Sequence, residues 1–368
     1  TLIAATAEGH TPTPDYTATV ASMLETALTA TAAAVPPTPI PAFDPAAITI
    51  LESFEHDLFA GPARSGAFLS PDGERFLHIG TSEGLCIYET FGSLIDCTPL
   101  EELRYDAASF EWSPDGRYIT YIDNLPLRYF DDSDVWLFDT EQGTITNLTD
   151  DGSDPTSIFQ AVLRGENIAG AAPADLQPRF SADSAFVYFV RYEALNQVVA
   201  ASLYRIPVSG GEPERLAVLS EDTREQAYVS VWDISPDEQT VVFDLTGGDG
   251  TTLSVYDMSS KRVRTLVELD RETEVGVLAV EFSPAGDAVL WHDGSLASAP
   301  SSESSPAHIT TLDGQTFPAS SDPGTMLAGW SPDGSAIVYT VRDAQNSDRA
   351  GLYVGRPGES GHLIARPT

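Results

Sequence analysis

The chain has 368 residues, 55 acidic against 19 basic, for a formal net charge of −36, and Lys261 is its one lysine. A surface of that sign repels phosphate backbones and anionic lipid heads, so nucleic-acid binding and attachment to a membrane surface are disfavoured. No run of 18 or more apolar residues occurs, so no membrane-spanning helix is expected.

Residues 1–52 differ in composition from everything after them, with residues 1–35 an Ala/Thr-rich segment. Thr1 to Thr13 is small, Ala/Thr-rich and aperiodic. Thr13-Pro14-Asp15 then supplies a cap, a proline at the first helical position and an acid in the first turn. Val20, Leu24, Ala27, Leu28, Thr31 and Val35 fall on one stripe, which predicts an amphipathic helix over 14–35, about 33 Å long at 1.5 Å per residue. Its apolar stripe is narrow and its polar face is not basic. That leaves a mobile tether between an anchor and the rest of the chain or, the expectation preferred, docking on a protein partner, for instance a neighbouring copy of the chain, by an arm built on Val20, Leu24, Ala27, Leu28 and Val35. Residue 1 is Thr and no cleavable signal is visible, so a processed chain, or one without its targeting segment, is expected. Residues 36–52 form a stiff Pro-rich linker. Ala47 to Leu51, or Ser53 to Phe59, is expected to add a closing strand beside Leu352-Tyr353-Val354.

From residue 53 to 368 the sequence repeats itself. Phe68-Leu-Ser70-Pro-Asp-Gly73, Trp112-Ser113-Pro-Asp-Gly116, Phe180-Ser181-Ala-Asp-Ser184, Ile234-Ser235-Pro-Asp-Glu238, Phe282-Ser283-Pro-Ala-Gly286 and Trp330-Ser331-Pro-Asp-Gly334 are copies of one turn. Proline pre-sets φ, aspartate bonds its own backbone and glycine takes the left-handed conformation. Each turn leads into a β-branched and aromatic run such as Tyr118 to Ile122, suited to a buried strand. Successive serines lie 43, 68, 54, 48 and 48 residues apart, room for four short strands and their turns. That period with little helical patterning predicts an all-β chain, a six-bladed β-propeller with an N-terminal helical and Pro-rich extension.

The six hydrophobic-Ser-Pro-Asp-Gly turns resemble those of the TolB-like, or WD40-like "PD40", six-bladed propellers. Three copies depart from the pattern: Ser181 to Ser184 lacks Pro and Gly, Ser235 to Glu238 lacks Gly, and Ser283 to Gly286 lacks Asp. Propellers of this kind serve as binding platforms, periplasmic adaptors, peptidase gates and enzymes, so the resemblance implies a fold without choosing a function.

Cys86 and Cys97 lie equally far from a turn at Phe91-Gly92, so they face each other across a hairpin. A directly opposed pair can meet disulfide geometry, which implies an oxidising, extracytoplasmic compartment; two free thiols or a metal pair are the alternatives. Asn147-Leu-Thr149 is a glycosylation sequon. The long third interval contains Ile158 to Arg164, read as a helical turn within an insertion. Asp131 to Asp134 and Asp150 to Asp154 are oxygen-rich loops of the kind that hold calcium, but neither has the EF-hand pattern. The histidines His10, His56, His78, His292, His308 and His362 show no paired metal spacing. Gly329 to Gly334 imitates a serine-hydrolase elbow but is one more repeat turn, one residue too long. The tryptophans Trp112, Trp136, Trp232, Trp291 and Trp330 read as packing between blades.

These residues predict a non-catalytic, extracytoplasmic propeller with no cofactor, no metal and no catalytic residue. It would act as a protein-interaction or structural module that assembles through its N-terminal arm, head to tail into a filament. The alternatives are a monomeric TolB-like periplasmic adaptor, or a glycan-active enzyme using the central pocket. The enzyme alternative predicts titratable groups with perturbed pKa clustered at one mouth of the ring.

Overall fold

The computed structural model describes residues 67–366 apart from stretches at 81–83, 91–92, 99–109, 124–132, 153–157, 196–197, 222–227, 248–249, 271–274, 296–305 and 342–348. The expected arm residues Val20, Leu24, Ala27, Leu28 and Val35, the linker and the closing strand at 47–59 lie outside the described residues.

Alternating apolar runs separated by the Ser-Pro-Asp-Gly turns fold into six four-stranded antiparallel sheets, each a meander of consecutive strands. Blade 1 contains β1 (Ala67–Leu69), β2 (Arg75–Gly80), β3 (Gly84–Glu89) and β4 (Leu94–Thr98), and blade 2 contains β5 (Glu111–Trp112), β6 (Tyr118–Ile122), β7 (Val135–Asp139) and β8 (Thr144–Asn147). A short helix, α1 (Ile158–Arg164), precedes blade 3, built of β9 (Ala174–Phe180), β10 (Phe186–Leu195), β11 (Val198–Pro207) and β12 (Glu214–Glu221). Blade 4 is β13 (Trp232–Ile234), β14 (Thr240–Gly247), β15 (Gly250–Asp257) and β16 (Arg262–Asp270). Blade 5 is β17 (Val275–Phe282), β18 (Ala288–Ser295), β19 (Ala307–Thr311) and β20 (Thr316–Pro318), and blade 6 is β21 (Thr325–Trp330), β22 (Ile337–Val341), β23 (Gly351–Gly355) and β24 (His362–Ala365). The chain is a six-bladed β-propeller, as the repeat count predicts. Blades 1 and 6 each reach four strands from contiguous sequence. No described helix is long and apolar enough to cross a membrane.

The core lies between blades rather than within any one of them. Leu77, Ile79 and Leu85 of blade 1 pack with Trp112, Ile119 and Phe138 of blade 2, and one cluster runs through blades 2, 3 and 4 around Phe189, Leu203 and Trp232. Two further layers join blade 4 to 5 and blade 5 to 6. A sheet with both faces apolar can bury them only against neighbouring sheets, which makes the ring cooperative. The tryptophans take part: Trp112, Trp232 and Trp291 are buried, and the indole N–H of Trp112 donates to the Phe68 carbonyl of blade 1 at 2.9 Å.

The six turns share one internal design. The serine hydroxyl donates to the turn aspartate in five of them, at 2.5 to 2.7 Å, and accepts the backbone N–H five residues on. In blade 5, where alanine replaces that aspartate, Ser283 donates to Asp287 at 2.7 Å. The fourth position has positive φ in every copy, including Ser184 at 58° and Glu238 at 57°. Both of these departures from glycine reach another blade. Ser184 Oγ accepts the Asp115 N–H at 3.1 Å, and the Glu238 carboxylate accepts the Ala182 N–H at 3.0 Å and the Tyr188 hydroxyl at 2.6 Å. The left-handed backbone costs about 1 kcal/mol for a residue other than glycine, offset here by bonds that tie blades 2, 3 and 4 together at their turns.

Cys86 and Cys97 pair directly across β3 and β4 and form the expected disulfide, with Cα atoms 4.1 Å apart.

Candidate functional site

One position of the repeat gathers charged side chains at a single cavity. The residue two before each turn serine sits on the first strand of its blade: Phe68, Glu111, Arg179, Asp233, Glu281 and Gly329 in blades 1 to 6. Four of the six are charged, on consecutive blades, and all four line one cavity of about 500 Å³ together with His292 and Ala328. The innermost strands are irregular here. Bulges interrupt β9, β17 and β21, and a bulge re-aims side chains toward a site.

Three of these side chains bridge blades through the backbone. The Glu111 carboxylate accepts the Phe180 N–H of blade 3 at 3.2 Å, and Asp233 accepts the Phe282 N–H of blade 5 at 2.7 Å. Glu281 accepts the Trp330 N–H of blade 6. Each bond links a channel residue to the residue before the turn serine of a following blade. Arg179 Nη1 donates to Glu111 at 2.7 Å. Its side chain remains 35% accessible from the channel.

The electrostatics differ from those of an ordinary surface cluster. Burial pushes the Asp233 carboxyl up to about 6, against the opposing pull of Arg179 and two backbone N–H groups. Glu281 is itself exposed to the cavity, and its crowded surroundings first, then the charge of Asp233, raise it to about 7. Burial works against the charge on Arg179, but Glu111, Asp233 and Glu281 outweigh it and hold the guanidinium above its ordinary value. His292 is lowered by burial and is neutral at physiological pH. Two carboxyls with their pKa raised toward neutrality, beside a fixed cation, make a site able to hold and to release a proton near pH 7.

The remaining buried charges are committed to structure. Arg191 makes two bonds of 2.6 Å to Asp175. Asp244 accepts four hydrogen bonds, from the Ser230 N–H and hydroxyl, the Val231 N–H and the Thr246 hydroxyl. Asp322 ties Tyr339, Ser360 and Gly361 within blade 6.

The residues singled out from sequence are scattered. Cys86 and Cys97 lie in the outer half of blade 1. Asn147 ends β8, where its amide donates to Asp134 at 2.7 Å, and the Thr149 hydroxyl accepts the Val135 N–H at 2.9 Å, so both ends of the sequon are engaged internally. Of the acidic loops, Asp131, Asp132, Ser153 and Asp154 lie outside the described residues. His308 stacks on Trp291 and approaches Asp293 at 3.2 Å. Of the histidines named from sequence, His292 reaches the channel site. Glu111, Arg179, Asp233 and Glu281 were not singled out. The signal was present as a column of the repeat, polar in four copies where Phe68 and Gly329 stand in the others.

No family model matches the chain, and no curated protein matches its sequence. Solved structures do. An oligogalacturonate lyase from Vibrio parahaemolyticus aligns at 14% identity over 83% of this chain and 80% of its own, with a TM-score of 0.56. An oligogalacturonate lyase in complex with manganese aligns at 14% identity over 81% and 76%, with a TM-score of 0.55. A putative TolB from Agrobacterium tumefaciens aligns at 16% identity over 69% and 79%, with a TM-score of 0.46. Among the described residues no group of three His, Cys, Asp or Glu side chains converges for a metal.

The expectation of a non-catalytic chain is corrected by these findings. It rested on the missing motifs, yet structures sharing the fold over about four fifths of the chain are lyases, so this fold does not exclude catalysis. The cluster of perturbed titratable groups that the enzyme alternative predicts is also present. At 14% identity the likeness establishes the fold, and TolB structures stand among its neighbours.

Proposed function

We propose that this protein is an extracytoplasmic, carbohydrate-active enzyme that cleaves a glycosidic bond in the central channel. Asp233 and Glu281 would exchange protons with the substrate, and Arg179 would orient it. The observation that carries this reading is the pair of carboxyls on adjacent blades, raised to about 6 and about 7 at one cavity. A general acid and a general base work best when their pKa values lie near the operating pH. The names of the lyase neighbours supply the substrate class, an oligosaccharide, and the Cys86–Cys97 bridge supports an oxidising compartment.

The test is bond cleavage in a panel of oligosaccharides, followed as new reducing ends. Glu281→Gln and Asp233→Asn should each lower kcat by about a hundredfold or more while the far-UV circular dichroism stays that of the wild type. The pH profile should show limbs belonging to the pair rather than to either residue. Cleavage unaffected by both substitutions, or no cleavage of any member of the panel, would overturn the reading.

A further inference from the structure

The channel cavity is one-sided in charge. Among the described residues, carboxylates reach it from β5, β13 and β17, as Glu111, Asp233 and Glu281, against one guanidinium, that of Arg179 on β9; β21 contributes Ala328 and no charge. Arg179 is already engaged by Glu111 at 2.7 Å and by the Pro178 carbonyl at 3.4 Å. The same wall contains His292 of β18, only 7% exposed. Its Nε2 lies 3.1 Å from the Ala328 carbonyl, which can only accept, so Nε2 carries the proton. That leaves Nδ1 as a buried acceptor with no partner. Among the described residues, carboxyls therefore outnumber cations around the cavity three to one.

We propose that this cavity takes a ligand bearing a primary ammonium group flanked by hydroxyl or further amine donors. The charge argument stands alone; that the ammonium is carried on a sugar rests on the function proposed above. An ammonium brings three N–H donors and one positive charge to a wall that offers three carboxyls against one guanidinium. A polyuronate, the kind of chain named for the lyase neighbours, would bring carboxylates to carboxylates, with one guanidinium, shared with Glu111, to receive them.

The inference also selects the chemistry. An amino sugar has no carboxyl next to a ring C–H, so β-elimination has no acidified proton to remove, and cleavage would be hydrolytic. The protonated member of the Asp233/Glu281 pair gives its proton to the leaving glycosidic oxygen as the C–O bond breaks. The ionised member takes a proton from water, whose oxygen bonds to the anomeric carbon.

Isothermal titration of the wild-type protein near neutral pH tests this with glucosamine oligomers, their N-acetylated counterparts, oligogalacturonate and spermidine. The amine probes should bind, and the N-acetylated oligomers should bind about tenfold more weakly, the loss of one hydrogen bond to a charged group. Oligogalacturonate should not compete. Glucosamine oligomers binding more tightly than spermidine assigns the ammonium to a sugar; the reverse order assigns it to a polyamine and leaves the charge inference standing. Glu281→Gln, which keeps an acceptor for the Trp330 N–H, should weaken both amine probes by about tenfold. Raising the salt should weaken them in the wild type, a measurement independent of any variant's folding. Spermidine affinity should rise from pH 5 to pH 8 as Asp233 and Glu281 ionise, with Glu111, Arg179 and His292 the other titratable groups facing them. Binding of the N-acetylated or acidic oligomers as tight as that of the amines, or no binding of either amine, overturns the inference. Amine binding without bond cleavage would uphold it and remove the catalytic role; cleavage of oligogalacturonate at the same pair would do the reverse.

Discussion

Asp233 offers a test that needs no substrate. Its carboxyl stands at about 6 in the folded protein against 3.8 in an unfolded chain. Between those two values the folded state binds a proton that the unfolded state has released, so stability falls as pH rises through the window. At about 1.36 kcal/mol per pKa unit the loss is about 3 kcal/mol, complete above pH 6. Asp233→Asn removes the titration. The amide oxygen can still accept one of the two backbone N–H groups, from Ile234 at 2.9 Å or Phe282 at 2.7 Å, so the substitution adds a constant offset and the readout is the slope. Urea unfolding followed by tryptophan fluorescence at pH 4, 5, 6 and 7 should show the variant gaining on the wild type by about 3 kcal/mol across the series. That is a relative midpoint shift of about 1 M at an m value near 3 kcal/mol/M. A second readout is Glu281, whose carboxyl the Asp233 charge helps to raise, and whose titration by carbon-13 NMR should move down in the variant. A stability difference that is flat with pH would refute the raised pKa. So would one in which the wild type gains as pH rises, since that is the behaviour of an aspartate held low by Arg179.

Four further variants test the frame around the site. Replacing Cys86 and Cys97 together by alanine opens a loop of 11 residues' separation and should cost about 3 kcal/mol in the same unfolding assay, with reductant reproducing the loss in the wild type. Gly361→Ala drives a Cβ into the Tyr339 hydroxyl and places it 2.8 Å from the Val354 carbonyl. It should lower stability by about 3 kcal/mol through overpacking, while Gly73→Ala, with nothing within 4 Å of its Cβ, should show only the backbone cost of its positive φ, about 1 kcal/mol. Arg191→Met leaves the Asp175 carboxyl, 1% exposed, without its two 2.6 Å bonds. A loss of about 4 kcal/mol is expected, smallest at low pH where Asp175, already raised by burial against the pull of Arg191, takes a proton.

The fold was legible because its signal is local and repeated. A serine, an aspartate and a left-handed residue at fixed spacing suffice to close a turn, and six such closures at the spacing of four strands determine the blade count. Even the defective copies follow the same physics. Ser283 recruits Asp287 where Ala285 offers nothing, and Glu238 accepts a left-handed backbone while its carboxylate holds Ala182 and Tyr188 of another blade. The disulfide was legible for a similar reason, since hairpin symmetry places Cys86 opposite Cys97 whatever the rest of the chain does. The site was not legible, because channel residues share no motif. Glu111, Arg179, Asp233 and Glu281 are separated by 68, 54 and 48 positions and meet only after the ring has formed. Each copy taken alone shows one polar residue in an apolar strand, which is a common surface feature. Aligning the six copies turns those residues into a column, and a column on the innermost strand of a propeller is a ring around its channel.

That ring has a structural task, and the task does not explain its charge. Glu111, Asp233 and Glu281 each accept the N–H of the residue before another blade's turn serine, closing hydrogen bonds that would otherwise be left open at the inner edge of the sheets. Asn or Gln would serve that purpose with no ionisation to suppress. A carboxyl raised to about 6 subtracts from stability at neutral pH, so its retention at position 233 is a cost the fold does not require. Arg179 sharpens the point. Its closest partner is Glu111, and its charge opposes the rise of the two other carboxyls. A ring meant only to hold blades together has no use for that adjustment, whereas a site that must give and take a proton at physiological pH depends on it.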